Sequence, residues 1–456
     1  MKKLITIGCV ISMLTCNALY ADTKVEPELA LKMLNQQSKH FEQRIVQTAP
    51  NVYTAVGFHG ANTSMIVGDD GVIIVDTLMG PTSAGNALKA FRKYSDKPVK
   101  AIIYTHSHGD HTGGAKAFMQ GREDVALYST DNFGYDFGGS PLLKPLMIKR
   151  GIRQFGRKLP SAEATNRGIA AAKTIDFDRG KGYVPATVKV KKESLTVVIA
   201  GVEIQMIKGA GETDDALFIW LPKEKVIFSG DNFYQAFPNL YAVRGTPYRD
   251  VMNWSRSDEK MATYEPEYLI PGHTSPIIGK AASTQALKDY AQAIKSVYDQ
   301  TIKGMNEGKG PELIAQEVKL PQNLSNKPYL TEFYGSIHHS VRAIYVGLIG
   351  WFDGNPTTLT PLHPKVKAQN MAKLVGGVKE LEAKLQEAMK NKEYQWALEL
   401  ADNLKWLDDA NYEVVVKAKI KALRALAEEE YNAPNRNYYL TYAHELEDGE
   451  LNKPWF

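Results

Sequence analysis

Three histidines and an aspartate stand within six positions in His106-Ser107-His108-Gly109-Asp110-His111, directly after the apolar run AIIYT. The run reads as a strand and the following GGAKAFM as the start of a helix, so the cluster occupies a strand-to-helix loop where side chains can converge. On an extended backbone His106 and His108 point to the same side and can share one metal, while Asp110 and His111, after the turn, can reach a second. The chain has 10 histidines in 456 residues, and three of them in one loop point to metal binding rather than to scattered core or surface imidazoles.

Thiols are not available to such a site. The N-terminus, MKKLITIGCVISMLTCNALYAD, places Lys2 and Lys3 before an apolar stretch too short to span a bilayer, which needs ~20 residues, and offers Ala21 as a cleavage point. Residues 1–21 therefore read as a signal peptide, with a periplasmic or secreted mature protein. Both cysteines, Cys9 and Cys16, fall inside it, so the mature chain is expected to hold no disulfide and to bind metal through histidines and carboxylates alone.

Lys+Arg 55 against Asp+Glu 51 leaves a net charge of only +4, which implies neither a nucleic-acid partner nor an anionic membrane surface, and no transmembrane anchor is expected. One stretch departs from that balance. KPLMIKRGIRQFGRK, residues 144–158, holds six cations and no acid; it reads either as a solvated face or as a gathering field for anions.

Composition shifts twice along the chain. Residues 52–278 carry short β-branched runs such as SMIVGDDGVIIVDT, VKAIIYTH and ALFIWLP between Gly- and Asp-rich turns, an α/β pattern. From residue 284 to 448 stretches such as VKELEAKLQEAMKNKEYQWALELADNLKWL place apolar residues three and four apart, as amphipathic helices do. Paired helical hairpins and a plain bundle both satisfy that pattern.

HSHGDH resembles the HxHxDH motif of the metallo-β-lactamase superfamily. Within it the chain is similar to the alkyl sulfatases through FPNLYAVRGTPYRDVMNW, LTEFYGSIHHSVRAIYVGLIGWFDGNPTTLTPLHP and NYYLTYAHEL. The resemblance implies an αββα sandwich followed by an all-α dimerisation domain: signal peptide 1–21, catalytic domain 22–283, helical domain 284–448 and a tail 449–456. It also completes the ligand set. Glu212 of GAGETDD, by itself only an acidic turn, stands where the superfamily usually has histidine. Asp231 of VIFSGDNFY takes the bridging position, often glutamate in relatives, and His273 of LIPGHTSP is the last ligand. With His106, His108, Asp110 and His111 these would hold two Zn²⁺ per chain.

The resemblance further implies zinc-dependent hydrolysis of alkyl sulfate esters such as dodecyl sulfate, a small-molecule substrate, by a homodimer. Arg244 and Asn239 would bind the sulfate, and His339 would protonate the leaving oxygen or hold the sulfate, with Asp110 as ligand and catalytic group and His338 a bystander. On residue statistics alone Arg244 would be an ion-pair partner and the two histidines helix-packing groups. Phe233, Tyr234, Phe237 and Tyr241 either line an alkyl channel or pack a loop on the core. The resemblance does not extend to the sterol-carrier-like domain of long family members, which bears on the preference for long chains. Two other readings stand beside it: another superfamily hydrolase acting on a β-lactam, lactone or thioester, and a helical scaffold with a vestigial site.

Overall fold

The structure, a computed structural model, describes residues 24–134, 141–174 and 177–449. The expected signal peptide with Cys9 and Cys16, and residues 450–456 of the expected tail, lie outside them. After α1 (Pro27–Ser38) come β1 (Arg44–Ala49), β2 (Val52–Val56), β3 (Thr63–Val67), β4 (Val72–Val75), β5 (Val99–Ile103), β6 (Ala126–Thr130) and β7 (Val188–Val190). They form one sheet in chain order, antiparallel up to β4 and parallel beyond it. The parallel strands are joined through α2 (Pro81–Phe91), α3 (Gly109–Thr112), α4 (Ala115–Met119) and α5 (Lys144–Gln154). A second sheet runs β13-β12-β11-β10-β9-β8, from β8 (Ser194–Ile199), β9 (Val202–Lys208), β10 (Leu217–Leu221), β11 (Val226–Gly230), β12 (Tyr268–Pro271) and β13 (Ile277–Ile278), with α6 (Val251–Thr263) crossing between the parallel pair β11 and β12.

Period-two alternation explains why these strands read as continuous apolar runs. Ile73, Val75, Ala101 and Ile103 face Leu217, Ile219, Leu221 and Phe228 across the space between the sheets. Their neighbours Val72, Ile74 and Ile102 turn outward onto Ala84, Leu88 and Phe91 of α2 and Phe118 of α4. Phe218, Trp220 and Ile227 of the second sheet turn the other way, onto Trp254 of α6. The result is the expected αββα sandwich.

The remaining helices are α7 (Lys280–Asn306), α8 (Pro311–Glu317), α9 (Gln322–Ser325), α10 (Ile337–Ile349), α11 (Pro364–Val375), α12 (Val378–Lys390), α13 (Tyr394–Leu404), α14 (Tyr412–Glu428) and α15 (Ala433–Glu447). They divide in two by packing. Leu287, Tyr290 and Ile294 of α7 and Val341 and Ile344 of α10 join the core on the outer face of the second sheet. α11 to α15 build a core of their own around Leu381, Leu385, Leu400, Leu404 and Leu423. The boundary expected at 283/284 thus lies inside α7, because the 13-residue α6 does not cover the apolar sheet face by itself. No helix among the described residues is long and apolar enough to cross a membrane.

Candidate metal centre

Five strand ends deliver the site to one edge of the sandwich. Asp76 follows β4, His106 and His108 follow β5, Glu212 lies in the turn after β9, Asp231 follows β11 and His273 follows β12. Asp110 and His111 sit in the single turn of α3. The β11 end needs two glycines. Gly230 has φ +55°, and a Cβ on Gly272 would stand 2.1 Å from Asp231 Oδ1, so only glycine lets the two strand ends close on each other.

All seven expected ligands converge, in two groups: His106, His108, Glu212 and Asp231, and Asp110, His111 and His273. Glu212 Oε2 is 3.3 Å from His108 Nδ1 and 3.8 Å from His106 Nε2. His273 Nε2 is 3.6 Å from Asp110 Oδ2. Asp231 also reaches the second group, with Oδ1 3.3 Å from His111 Nε2 and Oδ2 3.2 Å from His273 Nε2 and 3.7 Å from His106 Nε2. Two ligands at ~2.1 Å from a shared tetrahedral ion stand about 3.4 Å apart, the spacing seen here.

The donor atoms also fit a cation on chemical grounds. His106 Nε2, His111 Nε2, Glu212 Oε2 and Asp231 Oδ1 are buried and make no hydrogen bond, a costly arrangement for polar atoms unless a positive ion satisfies them. Outer contacts aim the lone pairs inward. His273 Nδ1 donates to the Gly60 carbonyl at 2.8 Å, which leaves Nε2 unprotonated for a ligand. His111 Nδ1 lies 2.7 Å from Asp76 Oδ2, and Asp76 in turn accepts from the Thr105 amide and hydroxyl at 2.8 Å each. The same hydroxyl is 3.0 Å from His106 Nδ1.

Electrostatics of the bare ligand set follow from this crowding. Burial would raise the Asp231 carboxyl, but His111, His273 and His106 outweigh it and hold it well below the usual carboxylate range. Asp110 is held down likewise by His111 and His273 against its burial. Burial lowers His111 and His273, yet Asp231 and Asp110 raise both imidazoles, and Asp76 raises His111 further, so that His111 is raised strongly. His106 goes the other way, pushed down to about 4 by burial and by His111.

Sequence reasoning missed three residues. Asp76 closes the VIIV strand, and its outer-shell role shows only in the fold. Arg249 has no spacing that marks it, yet its buried guanidinium donates to Glu212 Oε1 at 2.9 Å and to the Asn239 carbonyl. Against burial, it holds Glu212 below its usual range. Tyr334 is buried, stacks edge to face on Tyr234 with centroids 5.7 Å apart, and Tyr234 stands edge on to His273 at 6.4 Å. Burial pushes the Tyr334 phenol up to about 12, against the field of Arg244 and with that of Glu212.

Of the other expected residues, Asn239 is tied to this centre through Arg249. Asn239 is buried with its Nδ2 amine unpartnered, while its backbone amide donates to the Tyr234 hydroxyl at 2.7 Å. Arg244 is half-buried; its backbone amide donates to Gln154 Oε1 at 2.8 Å and its guanidinium lies 6.0 Å from the Phe155 ring centre. His339 stands in the first turn of α10, half-buried, and makes no hydrogen bond among the described residues. Burial, then Arg342 and His338, push its imidazole down to about 4. The loop before α10 is laced to the Asn239 loop: Phe237 N donates to Thr331 O at 2.8 Å and Gly335 N to Phe237 O at 3.0 Å. Phe233, Tyr234 and Phe237 are fully buried core residues, so of that aromatic set only Tyr241 reaches the surface.

The chain matches the metallo-beta-lactamase superfamily over residues 56–273 and the alkyl sulfatase dimerisation family over residues 310–449. It is 33% identical over 391 residues to a linear primary-alkylsulfatase of a Pseudomonas species, covering 84% of this chain and 73% of that protein. An (R)-specific secondary-alkylsulfatase of Pseudomonas is 29% identical, over 89% of this chain and 63% of its own length. The alkyl/aryl-sulfatase of Saccharomyces cerevisiae is 27% identical, over 93% and 68%. Among solved structures, a stereoselective inverting sec-alkylsulfatase from Pseudomonas superposes with a TM-score of 0.82 at 27% identity, over 91% of this chain and 68% of that one.

Proposed function

We propose, from the premise that this chain belongs to the alkyl sulfatase family, that it hydrolyses alkyl sulfate esters such as dodecyl sulfate to alcohol and sulfate. The observation that carries the reading is Glu212: a carboxylate clamped by a buried arginine stands in the first ligand group, beside residues suited to an anionic head group. We take the ions to be two Zn²⁺ per chain, held by His106, His108, Asp110, His111, Glu212, Asp231 and His273. Bound there, such ions supply Lewis acidity and ionise water near neutral pH.

The protein's own groups do the rest. Asp231 reaches both halves of the centre, with Oδ2 between His106 and His273 and Oδ1 beside His111, and so keeps the halves in register. Arg249 neutralises the outer oxygen of Glu212, which would otherwise repel a sulfate. The Arg244 guanidinium offers planar paired donors to the sulfate oxygens, and the unpartnered Asn239 amine offers another. In the net reaction, ROSO₃⁻ + H₂O → ROH + SO₄²⁻ + H⁺, the bridging ester oxygen gains negative charge as its bond breaks, whether it leaves with the alkyl group or with the sulfate. Tyr334, still protonated across the working range, and His339, neutral above about 4, suit hydrogen-bond donation to substrate oxygens better than storage of a full positive charge.

Elemental analysis with turnover of hexyl, decyl and dodecyl sulfate beside a β-lactam and a lactone tests the reading. About two metals per chain and sulfate release are expected. A protein that opens β-lactams or lactones and leaves the sulfate esters intact overturns it. The convergence of seven competent ligands argues against a vestigial site.

Assembly and export belong to the same proposal. Val346, Leu348, Ile349 and Trp351, on and just after α10, expose apolar surface inside the segment matched by the dimerisation family, which supports a homodimer closed over that face. The N-terminal lysines followed by an apolar stretch support export.

A further inference from the structure

The cation-rich helix α5 differs between its two ends. Its C-terminal part is fastened: Arg153 pairs with Glu445 of α15 and lies 4.6 Å from the Tyr442 ring centre, and Gln154 Oε1 receives the Arg244 amide. Gly151 and Gln154 are buried there. The opposite end is exposed. Leu142, Leu143, Leu146 and Ile148 are 89, 50, 51 and 52% exposed, and Lys144 and Lys149 are exposed among them.

From Leu146 to Gln154 is eight residues, about 12 Å of helix, so these leucines stand one short helix from the backbone that positions Arg244. Four large apolar side chains held in water on an exposed element need a partner surface. Because residues on every side of the helix are exposed, the element is convex and suits insertion into an apolar layer rather than enclosure of one chain. The lysines and Arg150 between the leucines, with no acid from 144 to 158, select a layer whose surface is negative. The segment also lies outside residues 310–449, the part matched by the dimerisation family, whereas the exposed apolar face of α10 lies within it.

We infer that the exposed end of α5 docks on aggregates of anionic alkyl amphiphiles, the micellar form of the enzyme's own substrate class, and holds the Arg244 side of the site against them. The inference rests on the alkyl sulfatase reading for the identity of the aggregate. Leu142, Leu143, Leu146 and Ile148 would enter the alkyl layer while Lys144 and Lys149 meet the sulfate heads.

The test uses the full mature protein, a Leu142→Ser/Leu146→Ser double variant and, separately, Lys149→Glu. Binding is read by sedimentation with micelles of decane-1-sulfonate, which has the head charge but no ester oxygen to lose. Turnover is read with hexyl sulfate, kept monomeric, and with decyl sulfate taken through its micellar transition. The parent is expected to bind the sulfonate micelles and to gain rate as decyl sulfate micelles form. Each variant should bind micelles about tenfold more weakly or worse and lose that gain, with hexyl sulfate turnover and circular dichroism as in the parent.

A parent without micelle binding, or a gain that survives in the variants, overturns the inference. So does a double variant that sediments as monomer where the parent is dimeric, which would make this a face between copies. Equal binding of the parent to neutral phosphatidylcholine vesicles would overturn the selection for negative charge. Failure to hydrolyse hexyl and decyl sulfate alike strikes the sulfatase reading instead, while the sulfonate measurement still decides the docking.

Discussion

Arg249 donates to Glu212 Oε1 at 2.9 Å with both side chains buried, and the other oxygen of Glu212, Oε2, is left without a hydrogen bond 3.3 Å from His108. One carboxylate thus has an outer oxygen neutralised by the protein and an inner oxygen left to a cation. Arg249→Ala should strip the first ligand group of metal. In chelated protein it should cost on the order of 3 kcal/mol of unfolding free energy, as breaking a buried pair does. Elemental analysis and denaturant unfolding measure the two effects, and Arg249→Lys, which keeps the charge but not the planar fork, should fall between.

Loading the centre should release protons. His111 and His273 are raised above their ordinary value by the carboxylates around them, so metal-free protein retains protons there to higher pH than free imidazoles do, and metal must displace them. Affinity should therefore weaken as pH falls, and calorimetric heats of Zn²⁺ binding should scale with the ionisation enthalpy of the buffer. Heats independent of the buffer at pH 7 would contradict this charge state.

Tyr334→Phe should leave metal content unchanged and lower kcat/KM for decyl sulfate about 10- to 100-fold, the worth of one hydrogen bond to a charged group. An aryl sulfate, whose leaving oxygen needs less help, should lose less. A variant as active as the parent on both esters would remove Tyr334 from the site.

His339 separates two kinds of donor. With the imidazole held at about 4, a donor acting as imidazolium would lose about tenfold in rate per pH unit above that value, whereas a neutral N–H donor gives a flat dependence from pH 5 to 8. We expect the flat profile, with His339→Ala slower than His339→Gln, which retains an N–H. A steep fall across that range in the parent, absent from His339→Gln, would assign the proton to the imidazolium.

Ile349→Asp combined with Trp351→Glu should convert dimer to monomer at micromolar concentration, since both side chains are more than half exposed in the single chain and charges there cannot be buried cheaply. Sedimentation equilibrium reads the result; an unchanged mass moves the assembly face elsewhere.

How much of this was legible beforehand depends on the range of the interaction. The HSHGDH cluster announces itself because four ligands lie within six positions, two on the extended segment after β5 and two in the turn of α3 that follows it. The β-branched runs likewise declare a two-sheet core, since burial on both faces requires apolar residues at every position, as Ile73 and Ile74 illustrate by pointing opposite ways. Asp231 as the group that touches both halves of the centre, the Arg249 clamp, the Asp76 support of His111 and Thr105, and the placement of Tyr334 join residues up to hundreds of positions apart. No local periodicity encodes them. The packing of α7 and α10 onto the second sheet is of the same kind: their amphipathic pattern fixes that one face is buried, and only the uncovered area of Phe218, Trp220 and Ile227 decided against what.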